Sequence, residues 1–171
     1  MLYVLIAAHA VAGALTPALA RWFGSRAFFA LALVPLASGI WLLQLMPTIT
    51  DGTTYDARYS WIPSLGVNLD LHVGLVQWVL AMVVCWIGAL VLIYCRWYFD
   101  GEMPVRSGSI LTIFAGTMLG LVTADDLVLM YVFWELTSVF SYLLIAHDPT
   151  KAASRQAALQ ALLVTTLGGL A

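Results

Sequence analysis

The chain has 171 residues, 63% of them hydrophobic and 9% charged, with a formal net charge of −2. Soluble domains carry about 25% charged residues, so this composition excludes an ordinary soluble domain and predicts an all-α integral membrane protein in the lipid bilayer. No run of lysine and arginine points to a nucleic-acid partner.

The first twenty residues lack a positively charged start. They read as a first transmembrane helix, from about Leu2 to Ala20 with Arg21 at its end, and not as a cleaved signal peptide. His9 lies inside it, where satisfied packing and a functional role are both open. A second span runs from about Ala27 to Met46 and contains Pro35, which should kink it unless a neighbour relieves the lost hydrogen bond. A loop follows over Pro47 to Val73. In its second half Val67, Leu69, Leu71 and Val73 alternate with Asn68, Asp70 and His72. With Tyr59, Trp61 and Ile62 before Pro63-Ser64-Leu65-Gly66, this predicts a β-hairpin over about Tyr59 to His72, lying on the membrane surface as a flap without chemistry.

The third span, Gly74 to Cys95, ends in Arg96-Trp97-Tyr98, an interfacial anchor. Cys85 and Cys95 lie on this one helix, too far apart to bridge, and form no metal-ligand spacing. A polar loop from Asp100 to Arg106 leads to a fourth span, Gly108 to Thr123. Gly116-x-x-x-Gly120 within it allows another helix to approach closely. Asp125 and Asp126 open the fifth span, which runs to His147 and closes at Asp148-Pro149. They suit a helix N-terminus as caps, or else form an ion-attracting mouth. A sixth helix starts near Thr150, with Lys151, Arg155, Gln156 and Gln160 in its first turns. It is still apolar at Ala171, so the sequence reads as the N-terminal fragment of a longer membrane protein.

Charge placement orients the spans. Arg21, Arg26, Arg96, Arg106, Lys151 and Arg155 fall on one side, and Arg58 alone on the other. Positive charges favour the cytoplasm, so the N-terminus and the hairpin are expected outside, in a multi-pass membrane protein.

The fifth span carries the candidate site. Glu135 sits in its middle, and a charge at the bilayer centre costs about 2.5–3.5 kcal/mol on insertion scales. At about 100° per residue, Tyr131, Glu135, Ser138 and Tyr142 share one face, as a proton or cation path requires. The competing reading is a glutamic acid that hydrogen-bonds a neighbouring helix and fixes packing.

Tyr131-Val132-Phe133-Trp134-Glu135-Leu136-Thr137-Ser138 and Ala161-Leu162-Leu163-Val164-Thr165-Thr166-Leu167-Gly168-Gly169-Leu170-Ala171 resemble the A-subunit family of Mrp-type multisubunit sodium/proton antiporters. They also resemble the related antiporter-like subunits of respiratory complex I. Trp61-Ile62-Pro63-Ser64-Leu65-Gly66 and Tyr94-Cys95-Arg96-Trp97-Tyr98-Phe99 are similar to the same family, whereas Val73-Gly74 stands where it commonly has Asp-Gly. The resemblance implies a fold with inverted five-helix repeats. Residues 1–106 would then be a preamble of three helices with the hairpin loop at 47–73, and residues 107–171 the start of the first repeat. It implies a cation/proton antiporter component, not an enzyme, working with other Mrp subunits on Na+ and H+ and without a cofactor. Glu135 would be its translocating glutamate, paired with a lysine beyond residue 171. The alternatives are a proton-pumping component of a complex I-type NADH dehydrogenase and a non-transporting membrane scaffold.

Overall fold

The computed structural model describes residues 1–62, 67–99, 104–148 and 150–170. Helix α1 (Leu2–Phe23) passes through a 3-10 turn, Gly24–Arg26, into α2 (Ala27–Gln44). A short helix α3 (Met46–Thr50) precedes strands β1 (Tyr55–Ile62) and β2 (Val67–Val73), and α4 (Leu75–Tyr98), α5 (Val105–Thr123), α6 (Leu127–Ile145) and α7 (Ala152–Leu170) follow. Among the described residues, the helical stretches Leu2–Gln44, Leu75–Tyr98, Val105–Thr123 and Leu127–Ile145 are long and apolar enough to cross a membrane. The protein is therefore a mostly helical, multi-pass membrane protein.

Several expected boundaries shift. Residues 46–50, expected at the end of a span and the start of a loop, form α3, with Pro47 in its first turn, where its missing N–H is harmless. The hairpin begins at Tyr55 and not near Tyr59. The third span continues to Tyr98, so Arg96 and Trp97 lie within α4. The fifth starts at Leu127, with Asp126 as its cap. The expected turn at Pro63 to Gly66, most of the loop after Asp100, Pro149 and Ala171 lie outside the described residues.

The helices pair as α1 with α5, α2 with α4, α5 with α6, and α6 with α7. Small residues set these approaches, because lipid tails compete with any apolar side chain and only close packing favours helix–helix contact. A Cβ on Gly116 would lie 2.4 Å from the His9 Cβ of α1, and one on Gly120 2.4 Å from the Phe133 ring of α6. His9 itself is 1% exposed, with Nδ1 2.8 Å from the Leu5 carbonyl. Pro17 stands inside α1 and has no N–H for the Gly13 carbonyl one turn back. The Ser109 hydroxyl of α5 donates to that carbonyl instead, at 2.8 Å, the repair by a neighbouring side chain that backbone in lipid requires.

The hairpin closes one end of the bundle. β1 and β2 pair antiparallel, setting Tyr55 opposite Val73, Ala57 opposite Leu71 and Tyr59 opposite Leu69. Leu71 and Val73 are buried in one core with Leu2, Ile49 and Leu129. The Tyr3 hydroxyl of α1 shares its proton between the Ala57 carbonyl at 2.7 Å and the Leu69 carbonyl at 2.5 Å. Across the strands Asp56 Oδ1 lies 2.7 Å from His72 Nδ1, and this contact holds the Asp56 carboxyl below its ordinary range. The outer edge of β2 is also used. The Asp70 carbonyl accepts from the Asp125 N–H at 2.9 Å, and Leu71 forms an antiparallel bridge with Ala124.

Candidate functional site

The site is built on α6. Its start is fixed by Asp126, whose Oδ1 accepts from the Val128 and Leu129 N–H groups at 2.8 and 3.1 Å. This satisfies two of the donors a helix N-terminus leaves open. Asp125 uses its backbone differently, through the bond to Asp70. At the other end, the Thr150 hydroxyl at 2.5 Å and Lys151 at 3.1 Å hold the Asp148 carboxyl at about 2. It is ionised across the neutral range and fastens the turn into α7.

Glu135 lies at the middle of α6 and is partly buried, with Oε1 buried and without a hydrogen-bond partner. Among the described residues no cation pairs with it. A buried polar oxygen left alone costs about 1–3 kcal/mol, and more when charged.

The four residues of the polar stripe are placed unequally. Ser138 is buried and donates to the Trp134 carbonyl at 3.2 Å, on its own helix. Tyr131 is 39% exposed and Tyr142 is partly buried. Among the described residues no hydrogen bond joins Tyr131, Glu135, Ser138 and Tyr142 to one another. They share a face without forming a wired chain. Leu129 and Phe133 occupy the other side of α6, against the hairpin core and Gly120.

Two neighbours of Glu135 stand in the motif that carries the resemblance but are given no role there. Thr137 is buried and donates to the Trp134 carbonyl at 2.7 Å. The Trp134 indole N–H reaches the Thr165 carbonyl of α7 at 3.4 Å, and a Cβ on Gly169 would lie 2.6 Å from the indole nitrogen. The glycine pair at Gly168-Gly169 was the available signal, since glycine in a membrane helix marks a close neighbour. Among the described residues, no group of three His, Cys, Asp or Glu side chains could hold a metal ion.

A family model described as "NADH:quinone oxidoreductase/Mrp antiporter, TM" matches residues 124–171, which include all of α6 and α7. The chain is 40% identical over 128 residues to the A/B subunit of a "Probable K(+)/H(+) antiporter" of Rhizobium meliloti (strain 1021), covering 74% of this chain and 13% of that protein. It is 36% identical over 138 residues to the A1 subunit of a "Na(+)/H(+) antiporter" of Staphylococcus haemolyticus (strain JCSC1435), covering 80% of this chain and 17% of that protein. The chain thus spans less than a fifth of the length of these curated relatives. Its structure is similar to a chain of the Mrp complex from Dietzia sp. DQ12-45-1b, with a TM-score of 0.85 and 34% identity over 99% of this chain and 18% of that one. A chain of the archaeal membrane-bound sulfane sulfur reductase shares the fold, with a TM-score of 0.80 at 17% identity over 98% of this chain and 34% of that one.

Proposed function

Starting from a chain that belongs to the A-subunit family of Mrp-type antiporters, we propose that it serves a multisubunit cation/proton antiporter and that Glu135 carries protons on its path. It is a transporter component, assembled with other Mrp subunits and exchanging sodium for protons under the proton gradient. The observation that carries this reading is the buried, unpartnered Oε1 of Glu135 at the middle of a membrane helix. Intramembrane carboxylates are rare and mark ion pathways. Tyr131, Ser138 and Tyr142 give the same face its hydroxyls. The proposed counter-charge is a lysine outside these 171 residues. Residues 1–106 form the preamble, and 107–171 open the first of two inverted five-helix repeats, with six spans within residues 1–171 and the hairpin on the outer surface.

The relatives' names differ in the cation, potassium in one and sodium in the other. A segment shared by both suits the proton half of the exchange better than cation selection.

The test is exchange in everted vesicles carrying the whole complex. Glu135→Gln keeps shape and hydrogen bonding but removes the charge, and should abolish cation/proton exchange. Glu135→Asp keeps the charge with a shorter reach and should retain part of it. Both should assemble: in the Gln variant a neutral amide is cheaper in lipid than a carboxylate, and the Asp variant keeps the carboxylate the site already holds. Full exchange in the Gln variant would favour the scaffold reading. The family model's description also names NADH:quinone oxidoreductase, which favours a second reading as a proton pump driven by electron transfer. Exchange that persists in vesicles without NADH separates the antiporter from that pump.

A further inference from the structure

We infer that the hairpin is a positioning strut for the Glu135 helix: β2 grips the start of α6 and sets the height and rotation at which Glu135 is presented. This rests on the role proposed for Glu135. Three observations carry it. The link between α5 and α6 is stitched to the free edge of β2 by the Asp125 N–H to Asp70 carbonyl bond of 2.9 Å and by the Leu71–Ala124 bridge. Leu71, 2% exposed, shares a buried core with Leu129 in the first turn of α6, and Phe133 one turn later packs against that core. On the side of α1, beyond the core that Leu2 shares with Leu129, a groove of about 270 Å³, lined by Tyr3, Ala7, Leu71 and Phe133 among others, opens between α1 and α6.

Helix geometry turns these contacts into control of the carboxylate. Leu129 and Phe133 lie one turn apart on one face, and Glu135 is two residues on, roughly 200° round from Phe133. Turning α6 by a single residue step, roughly 100°, would lift Leu129 out of its core and swing Glu135 with it. The strut is itself braced, by Tyr3 on the Ala57 and Leu69 carbonyls and by the Asp56–His72 contact across the strands. Leu71, Leu129 and Asp125 are thus positioning residues that act through α6.

The test uses the whole complex in everted vesicles with Leu71→Ala and Leu71→Met. Leu71→Ala should assemble, lose about tenfold or more of its exchange per assembled complex, and move the pH midpoint of exchange. Leu71→Met should restore both. The backbone amide of Asp125 should be protected from hydrogen exchange in the parent complex and exchange faster in Leu71→Ala. If Leu71→Ala does not assemble, Leu71→Val carries the same measurements. A parent rate and pH midpoint per assembled complex in the truncated variant would overturn the strut, as would an unprotected Asp125 amide in the parent. Full exchange in Glu135→Gln would instead overturn the site reading, and the Asp125 amide would still decide the strut independently.

Discussion

At the scale of single residues, Gly120 is one of the tight constraints in the bundle. Gly120→Ala puts a methyl 2.4 Å from the Phe133 ring, whereas a Cβ on Gly168 has open space within 4 Å. Overpacking of this kind costs about 1–3 kcal/mol. The alanine variant should lower the thermal midpoint of the purified complex, while Gly168→Ala leaves it nearly unchanged. The Gly116-x-x-x-Gly120 spacing predicts a close helix, but it does not reveal that each glycine serves a different one, His9 of α1 and Phe133 of α6. Glu135 was legible because it is the only acidic side chain between the aspartates that open the span and Asp148 that closes it. The wiring of its face was not. A mid-helix serine always has a carbonyl of its own helix within reach, and Ser138 takes the one at Trp134 instead of bridging to Glu135.

Among the elements, the hairpin makes the clearest solution prediction. The contact with His72, the main cause, lowers the folded-state value of Asp56 below its ordinary 3.8. The stability this contact adds is therefore present above pH 3.8 and is lost as the pH falls through the lowered value. Hydrogen exchange of the β1 and β2 amides, corrected for the intrinsic rate, should show an opening step on that acidic side, and Asp56→Asn should remove the step. Sequence alternation pointed to the buried pair Leu71 and Val73, since period two is a strong signal when the inward residues are large and branched. The matching strand was only half legible. Tyr55, Ala57 and Tyr59 face Val73, Leu71 and Leu69, but Ala57 is a poor strand former and hid the beginning of β1. Helix α3, with 5 residues, is too short for any helical period to register.

For the molecule as a whole, the orientation argued from positive charges makes a two-sided prediction. The 3-10 turn Gly24–Arg26 and the link after α3 belong to opposite ends of the bundle. In intact cells, Ser25→Cys should react with a membrane-impermeant maleimide only after permeabilisation, and Thr53→Cys without it. The reversed pattern would invert the topology.

The pairing of Pro17 with Ser109 has a consequence in time. A membrane chain is threaded into the bilayer from its N-terminus, so α1 arrives with the Gly13 carbonyl bare, and its donor is encoded 96 residues later. Until α5 enters, that oxygen faces lipid or borrows water, and α1 cannot settle as a finished element. Its last hydrogen bond belongs to a helix not yet made, so maturation of the first span waits on synthesis of the fourth.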